Sequence, residues 1–99
     1  MQVGTILVYA HSYNARYPHF VRVTRMTGST AWVEEIPKMW YEDDGYGQNG
    51  TRVPNFEAEP TPVKGSFRIK HSSHFGDYIM IDRCMAVTWD GTPEDEYTD

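Results

Sequence analysis

The sequence has one cysteine, no long apolar run and no stretch with the 3.6-residue apolar period of an amphipathic helix. Cys84 alone can form neither an internal disulfide nor a thiolate zinc cluster, which fits a reducing compartment and makes the cytosol the expected location. The longest apolar run near the start, residues 6–10, has five residues and is too short for a signal-peptide core or a membrane span. We therefore expect a soluble protein that is not exported by these routes.

Motifs of catalysis and metal binding are also missing. The four histidines are His11, His19, His71 and His74. None has the helical or thiolate-paired spacing that is typical of zinc sites, and the acids at residues 42–44 lack the spacing of a calcium loop. Cys84 is expected inside a strand, where a free cysteine packs as a small hydrophobe. The sequence thus predicts a protein that is not an enzyme and needs no metal or cofactor.

Alternating apolar residues dominate the rest of the sequence and indicate an all-β domain. With 99 residues, 39% of them apolar, the chain can bury one core. The fold is expected to be organised around residues 20–36, where Val21 and Val23 alternate with polar residues before Gly28 interrupts the run. Gly28 can take the positive φ of a tight turn, so this segment predicts a β hairpin.

Three further segments have the composition of strands. Residues 4–10 are apolar on both sides, which is typical of a central strand. Residues 65–71 alternate, and residues 78–87 are expected to form a last strand with a bulge or interruption at Asp82 and Arg83. About five strands with closely spaced turns predict a small antiparallel barrel or roll, SH3-like as the first choice and OB-like as the second.

A long irregular loop is expected at about residues 42–62. Its glycines and its prolines at positions 54, 60 and 62 exclude a helix and allow at most a short strand near Arg52. Loops of this length in small domains are usually functional or disordered. A single β domain is expected to span residues 1–93, and the acidic residues 94–99 are expected to form a frayed tail.

Charge is distributed unevenly along a chain whose net charge is −5. Residues 1–33 carry three arginines and no acid, whereas residues 34–59 carry seven acids and two bases. Residues 60–83 carry four bases and two acids, and residues 84–99 carry five acids and no base. Such blocks predict faces of opposite sign, which favour an oriented partner or self-association, including a homodimer that covers an open sheet edge.

Two surfaces follow as candidate binding sites. The first combines aromatic and acidic side chains, as protein-binding epitopes do, and consists of Trp40, Tyr41, Glu42, Asp43, Asp44 and Tyr46. The second interleaves aromatic and basic side chains, as platforms for single-stranded nucleic acid do, and consists of Tyr13, Arg16, Tyr17, His19, Arg22 and Arg25. The acidic net charge favours the first surface, although its aromatic residues could instead cap the barrel.

Three motifs together resemble a group of small bacteriophage and prophage proteins of uncharacterised function. They are GTILV at residues 4–8, VxVTxxTGxTAWVxEI at residues 21–36 and WDGxP at residues 89–93. The resemblance covers the first third of the chain and its last turn, but not the acidic loop. It implies a phage accessory protein that acts in a bacterial cytoplasm, and it supplies no catalytic residues.

The sequence therefore predicts a non-enzymatic, phage-encoded binding protein that engages a host macromolecule and inhibits or redirects it. The expected partner is a host or phage protein, and a component of bacterial defence is included. Two alternatives stay open. One is a nucleic-acid-binding small barrel that uses the second surface, and the other is a structural or assembly accessory protein of a phage.

Overall fold

The computed structural model describes residues 1–12 and 14–98, which form only strands, bridges, turns and irregular segments. Eleven strands follow one another: β1 Ile6–Ser12, β2 Arg16–Thr27, β3 Thr30–Ile36, β4 Lys38–Asp43, β5 Gly50–Pro54, β6 Thr61–Pro62, β7 Phe67–Arg68, β8 Lys70–Ser72, β9 Gly76–Ile81, β10 Cys84–Thr88 and β11 Glu94–Glu96. Every strand pair is antiparallel. The all-β, antiparallel prediction is confirmed. The strands outnumber the expected five, since seven have five or more residues and four more have only two or three.

Strands β2 and β3 form a long hairpin, as the alternation of its sequence predicts. Thr27 pairs with Thr30, so Gly28 and Ser29 form a two-residue turn in which Gly28 has a φ of 55°. Glycine takes this left-handed conformation without the penalty of a Cβ atom. One register shift in the second half of β2 marks a β-bulge, which twists the hairpin locally.

The larger sheet has the strand order β6-β3-β2-β1-β10-β9-β8, and β7 also pairs with β3. Strand β1 lies in its middle, between β2 and β10. Leu7 and Tyr9 of β1 belong to one apolar cluster, whereas Ile6 and Val8 belong to another. Both sides of β1 are therefore covered, which confirms the prediction of a central strand.

The two apolar clusters lie on opposite faces of this sheet. The larger cluster defines the inner face and contains Leu7, Tyr9, Val21, Val23, Ala31, Val33, Ile79, Ile81 and Ala86. Val63, Phe67 and Ile69, from the chain around β7, pack against it. The smaller cluster defines the outer face and contains Val8, Phe20 and Ile36, with Ile6, Val87 and Trp89 packed against them. A two-sided core of this kind requires cover on both faces of the sheet.

Residues 78–87 form a hairpin and not one interrupted strand. Ile81 pairs with Cys84, and the turn between them consists of Asp82 and Arg83, with φ angles of 49° and 66°. Positive φ at both central residues is the pattern of a type I′ turn, for which Asn-Gly and Asp-Gly are the usual sequences. The prediction of a bulge or interruption is therefore wrong. The turn was not expected because Arg83 is not a glycine, the residue that usually adopts positive φ.

The smaller sheet has the order β11-β5-β4. Strand β5 is a short strand around Arg52, as the prolines of the expected loop allow, and β6 is a further, unexpected strand at the end of that loop. Between residues 42 and 62, the backbone outside strands is limited to residues 44–49 and 55–60. Pro54 ends β5 and Pro62 lies on a two-residue edge strand, which are positions that sheets tolerate for proline.

The acidic end of the chain joins the smaller sheet, which corrects the expectation of a frayed tail. Strand β11 pairs with β5. Beyond it, Tyr97 exchanges two backbone hydrogen bonds with Arg16, with N···O distances of 2.9 and 3.1 Å. Glu96 is only 6% exposed. Composition alone misses this strand because the groups that hold it come from distant parts of the sequence. Asp99 lies outside the described residues.

Candidate functional site

Two tyrosines of the first predicted surface have the highest exposed fractions among the large hydrophobic side chains of the described residues. Tyr41 on β4 is 62% exposed, and Tyr46 in the following turn is 84% exposed. The register shifts between Trp40 and Glu42, so Tyr41 lies at a β-bulge. Met39, two residues earlier, is 45% exposed. Clustered apolar exposure next to charged groups is typical of an interaction surface.

Three acids beside these tyrosines have no ion pair within the described part of the chain: Glu42, Asp43 and Asp44. Asp44 also organises the turn. Its Oδ1 accepts a hydrogen bond from the N–H of Tyr46 at 2.8 Å, and its Oδ2 accepts one from Nδ2 of Asn49 at 3.2 Å. Asp43 accepts a hydrogen bond from the N–H two residues after it at 3.0 Å. The tip of the hairpin is therefore held in one conformation with its acids in solvent.

The hydrogen bonds of the turn also lower the pKa of Asp44. The N–H of Tyr46 has the largest effect on the pKa of the Asp44 carboxyl and lowers it, and the N–H of Gln48 and the amide of Asn49 lower it further. Slight desolvation acts in the opposite direction and is outweighed. These bonds therefore favour the ionised form, which an aspartate already adopts at neutral pH.

Trp40, which was expected on the same surface, is covered on one side. It pairs directly with Arg52 of β5, whose guanidinium carbon lies 3.6 Å from the centre of the indole ring. This distance is typical of a close cation–π stack. Trp40 is half-buried, so it supports the hairpin from behind the exposed tyrosines.

Glu96 connects this stack to the end of the chain. Its Oε2 accepts hydrogen bonds from Nη2 of Arg52 at 3.0 Å and from Nε at 3.2 Å, while its Oε1 accepts one from Nζ of Lys38. Burial acts most strongly on the pKa of Glu96 and raises it, but the combined bonds and charges of Lys38 and Arg52 outweigh burial and lower the pKa. Sequence reasoning missed Glu96. The one available signal was the acidic terminal block, which predicts cationic partners without naming them.

Two arginines of the second predicted surface are engaged within the molecule. Nη2 of Arg16 lies 3.0 Å from the carboxylate of Glu94, and Nη2 of Arg22 lies 2.8 Å from that of Glu34. Both pairs are partly buried. A ligand phosphate would have to displace a carboxylate from each of these guanidinium groups.

Alternation along β2 also divides the second surface between the two faces of the larger sheet. The even-numbered positions from Arg16 to Arg22 share the outer face with the buried ring of Phe20. Tyr17 and His19 lie on the inner face. The interleaved aromatic and basic residues therefore do not form one continuous stripe.

The remaining members of the second surface are Arg25 and Tyr13. Arg25 has no ion pair among residues 1–12 and 14–98, and its guanidinium carbon lies 4.3 Å from the ring centre of Trp32. This contact is a second cation–π stack. Tyr13 lies outside the described residues.

His19 belongs to an aromatic cluster on the inner face. Its ring centre lies 5.1 Å from that of Tyr9 and 5.3 Å from that of His11. Burial has the largest effect on the pKa of His19 and lowers it, followed by the nearby groups Lys38 and His11. The imidazole is therefore mainly neutral at pH 7, and its 3.9 Å approach to the carboxylate of Glu35 is not a full ion pair.

The other residues considered for chemistry are dispersed. Cys84 is half-buried beside the inner cluster, and its thiol lies 3.5 Å from the backbone oxygen of Asp82. Nδ1 of His71 lies 3.2 Å from the carboxylate of Asp77, and the ring of His74 makes an edge-to-face contact with that of Phe75. Within the described residues, no group of three histidines, cysteines or acids is placed to hold a metal ion. The same residues include no helix long and apolar enough to cross a membrane.

Comparison with known proteins adds no relative to this picture. No family model, no curated protein and no solved structure matches the chain. The geometry of its own surfaces is therefore the basis on which a function can be argued.

Proposed function

We propose that this protein is a non-enzymatic binding protein whose hairpin patch engages a basic region of a protein partner. The hairpin patch is the exposed surface of Met39, Tyr41, Glu42, Asp43, Asp44 and Tyr46. The observation that carries the proposal is the high exposure of Tyr41 and Tyr46 beside three acids without ion pairs in the described part of the chain. Trp40 is not a contact residue in this proposal and instead stabilises the patch.

The two tyrosines supply the binding energy in this proposal. A few large side chains carry most of the energy of a protein interface, and tyrosine is enriched among them. Tyr46 is presented on a turn that the Asp44 carboxylate already holds through three hydrogen-bond contacts. Less conformational entropy is then lost on binding, because the turn is ordered before the partner arrives.

The charges of the patch determine the kind of partner. The acids of the hairpin tip form no ion pair within the described residues, whereas Arg16, Arg22 and Arg52 are each paired with a glutamate. The tip therefore presents uncompensated negative charge. Such a surface attracts a basic partner and accelerates its association at low salt.

Nucleic-acid binding has weaker support. Arg16 and Arg22 are held by carboxylates, and Tyr17 and His19 lie on the other sheet face. Arg25 with Trp32 offers one stacked cation, which is less than a single-strand platform requires.

The resemblance to phage accessory proteins leads us to propose a host protein as the partner, in the bacterial cytoplasm. Binding would inhibit or redirect that protein, which includes the possibility of a defence component. A structural or assembly role in the phage is the alternative, and it would use the same hairpin patch with a phage protein. The host-directed role and the structural role differ in which partner protein is recovered, but both use the hairpin patch.

We also propose an SH3-like arrangement for the fold in preference to an OB-like one. Pro37 alone separates β3 from β4, although these strands belong to different sheets. The bridge between Arg16 and Tyr97 connects the smaller sheet back to β2. Both features support a small barrel in which one bent strand contributes to two sheets.

The experiment is affinity capture from lysate of the bacterial host, with and without nuclease, using two matched double variants. Tyr41→Ala with Glu42→Ser removes one tyrosine and one acid from the patch. Phe56→Ala with Glu57→Ser removes an equally exposed aromatic residue, 57% exposed against 62%, and an acid from a different loop.

We expect the patch variant to lose at least about tenfold of the captured protein, because hot-spot tyrosines are worth about 2 kcal/mol. The Phe56 variant should capture as much as the parent, and nuclease should change neither result. Equal recovery of the partner by the two variants would show that the hairpin patch is not the binding site. Recovery that depends on nucleic acid would favour the second surface.

A further inference from the structure

A cavity of about 410 Å³ opens on the inner face of the larger sheet, and no residue of the hairpin patch lines it. Tyr9, Glu35, Ile81 and Asp82 line one side, and the chain at residues 61–67 lines the other. Three strands separate β3 from β9 in the sheet, so the sheet must curl for Glu35 and Ile81 to reach the same cavity. The volume lies within the range of pockets that hold small ligands.

Two carboxylates in the lining lack strong cationic partners. Asp82 has no ion pair within the described residues. The carboxylate of Glu35 lies 3.9 Å from Nδ1 of His19, which is mainly neutral at pH 7. Lys64 also lines the cavity, but its ammonium is not within 4.0 Å of either carboxylate. The lining therefore carries one negative charge in excess.

The remaining walls are apolar or aromatic. Val63, Phe67 and Ile81 contribute hydrocarbon surface, and the ring of Tyr9, which is 7% exposed, lies beside them. Burial is the largest cause that raises the pKa of Tyr9 to about 12, and the charges of Glu35 and Asp82 add to it. The phenol thus stays protonated, and its neutral ring can face a cation.

We propose that this cavity binds an alkylammonium group, with the ammonium between Glu35 and Asp82 and the methylene chain against Val63, Phe67 and Ile81. A carboxylate pair favours a compact cation, and the apolar walls favour an aliphatic stem over a hydrated inorganic ion. Anionic ligands are disfavoured by the two carboxylates. This site is separate from the hairpin patch, so each can fail without the other.

The first test is an NMR titration of the full chain with n-pentylamine, 1-pentanol and pentanoate at constant ionic strength. These probes share one chain length and differ in charge. We expect pentylamine to shift the amide signals of Tyr9, Glu35 and Phe67 and to bind at least about tenfold more tightly than pentanol, because a charge-assisted hydrogen bond adds more than a neutral one. Equal affinity for amine and alcohol, or a preference for pentanoate, would overturn the proposal.

Variants then test the carboxylates. Asp82→Asn suits the turn, because asparagine tolerates the φ of 49° as well as aspartate does. We expect Glu35→Gln and Asp82→Asn each to weaken pentylamine binding about tenfold, and Lys64→Ala to strengthen it. Glu57→Gln, which removes an equal charge from an exposed loop, should change the affinity less than twofold, about the effect of a distant surface charge.

Thermal unfolding of each variant checks that the fold is intact. Unchanged amine binding in both Glu35→Gln and Asp82→Asn would contradict the proposal, as would loss of binding in Lys64→Ala. Titrations with 1,5-diaminopentane and with N-acetyl-lysine N-methylamide distinguish the source of the ligand. Tighter binding of the diamine supports a free polyamine, and tighter binding of the capped lysine supports a lysine side chain of a partner.

Discussion

The carboxylate of Glu96 lies between two cations that are 44 and 58 residues away in the sequence, Arg52 and Lys38. Removing its charge would leave both cations partly buried without compensation. We expect Glu96→Gln to lower the free energy of unfolding by about 3 kcal/mol, as for other broken buried ion pairs. The measurement is urea unfolding at pH 7. Asp95→Asn is the matched control, since that side chain is exposed and its loss should cost less than about 0.5 kcal/mol.

The same residue predicts how stability depends on pH. The pKa of Glu96 is lower in the folded protein than in the unfolded chain, so its ionised form favours folding. This contribution is complete above the unfolded pKa of about 4.3 and is lost as the pH falls through the lower folded value. The stability difference between the parent and Glu96→Gln should therefore be constant from pH 7 to about pH 5 and shrink below about pH 4. A difference that does not change down to about pH 3 would contradict this assignment.

Trp40 is expected to act on stability and not on binding. Its ring is stacked under Arg52, which Glu96 holds in place. Trp40→Ala should lower the free energy of unfolding by about 2 kcal/mol, while Tyr41→Ala should change it by less than about 0.5 kcal/mol. In affinity capture well below the melting temperature, Tyr41→Ala should reduce the amount of captured partner more than Trp40→Ala does. If Trp40→Ala abolished capture while leaving the melting temperature unchanged, Trp40 would be a contact residue after all.

At the scale of elements, the hairpin of β4 and β5 depends on Asp44 for the order of its tip. Asp44→Ala removes the acceptor for the N–H of Tyr46 and for the amide of Asn49. We expect the backbone order parameters of residues 45–48 to fall, with little change in the melting temperature because the side chain is exposed. Asp44→Asn keeps an acceptor oxygen and should keep more of the order. Equal order parameters in parent and Asp44→Ala would show that the tip does not need these bonds.

Elements with strong alternation and a glycine turn could be predicted from the sequence. The hairpin of β2 and β3 is an example, since Gly28 marks its turn and the apolar residues mark its faces. The hairpin of β9 and β10 could not be predicted, because Asp82 and Arg83 adopt positive φ without a glycine. Strand β11 could not be predicted either, because ion pairs over long sequence distances hold it and its own composition does not.

The candidate site was predictable in part for a similar reason. The sequence identifies aromatic and acidic residues that are close together in the chain, so Tyr41, Glu42 and Tyr46 could be predicted as candidates. It cannot show that Trp40 is covered by Arg52, because that contact depends on the register of β4 and β5. The cavity beside Tyr9 was also missed, since its lining comes from distant segments that meet only when the sheet curls.

At the scale of the whole molecule, ion pairs engage some charges of each sign and leave others of each sign unpaired within the described residues. Arg16, Arg22 and Arg52 have carboxylate partners, as does Lys38. The acids of the hairpin tip have none within the described residues. Part of the negative charge behind the net charge of −5 is therefore located at one exposed, aromatic site. The clustering of these unpaired acids beside the exposed Tyr41 and Tyr46 is the basis for proposing a basic protein partner for the hairpin patch.

The most direct test of this assignment is photo-crosslinking in the bacterial host. The photoreactive residue p-benzoylphenylalanine replaces either Tyr46 in the patch or Phe56 in the other exposed loop. From position 46 we predict a discrete protein adduct that resists nuclease and weakens when Glu42→Ser is added or when salt is raised to screen the charges. From position 56 we predict no such adduct. An adduct of equal yield from position 56, or one at position 46 that nuclease removes, would contradict the account.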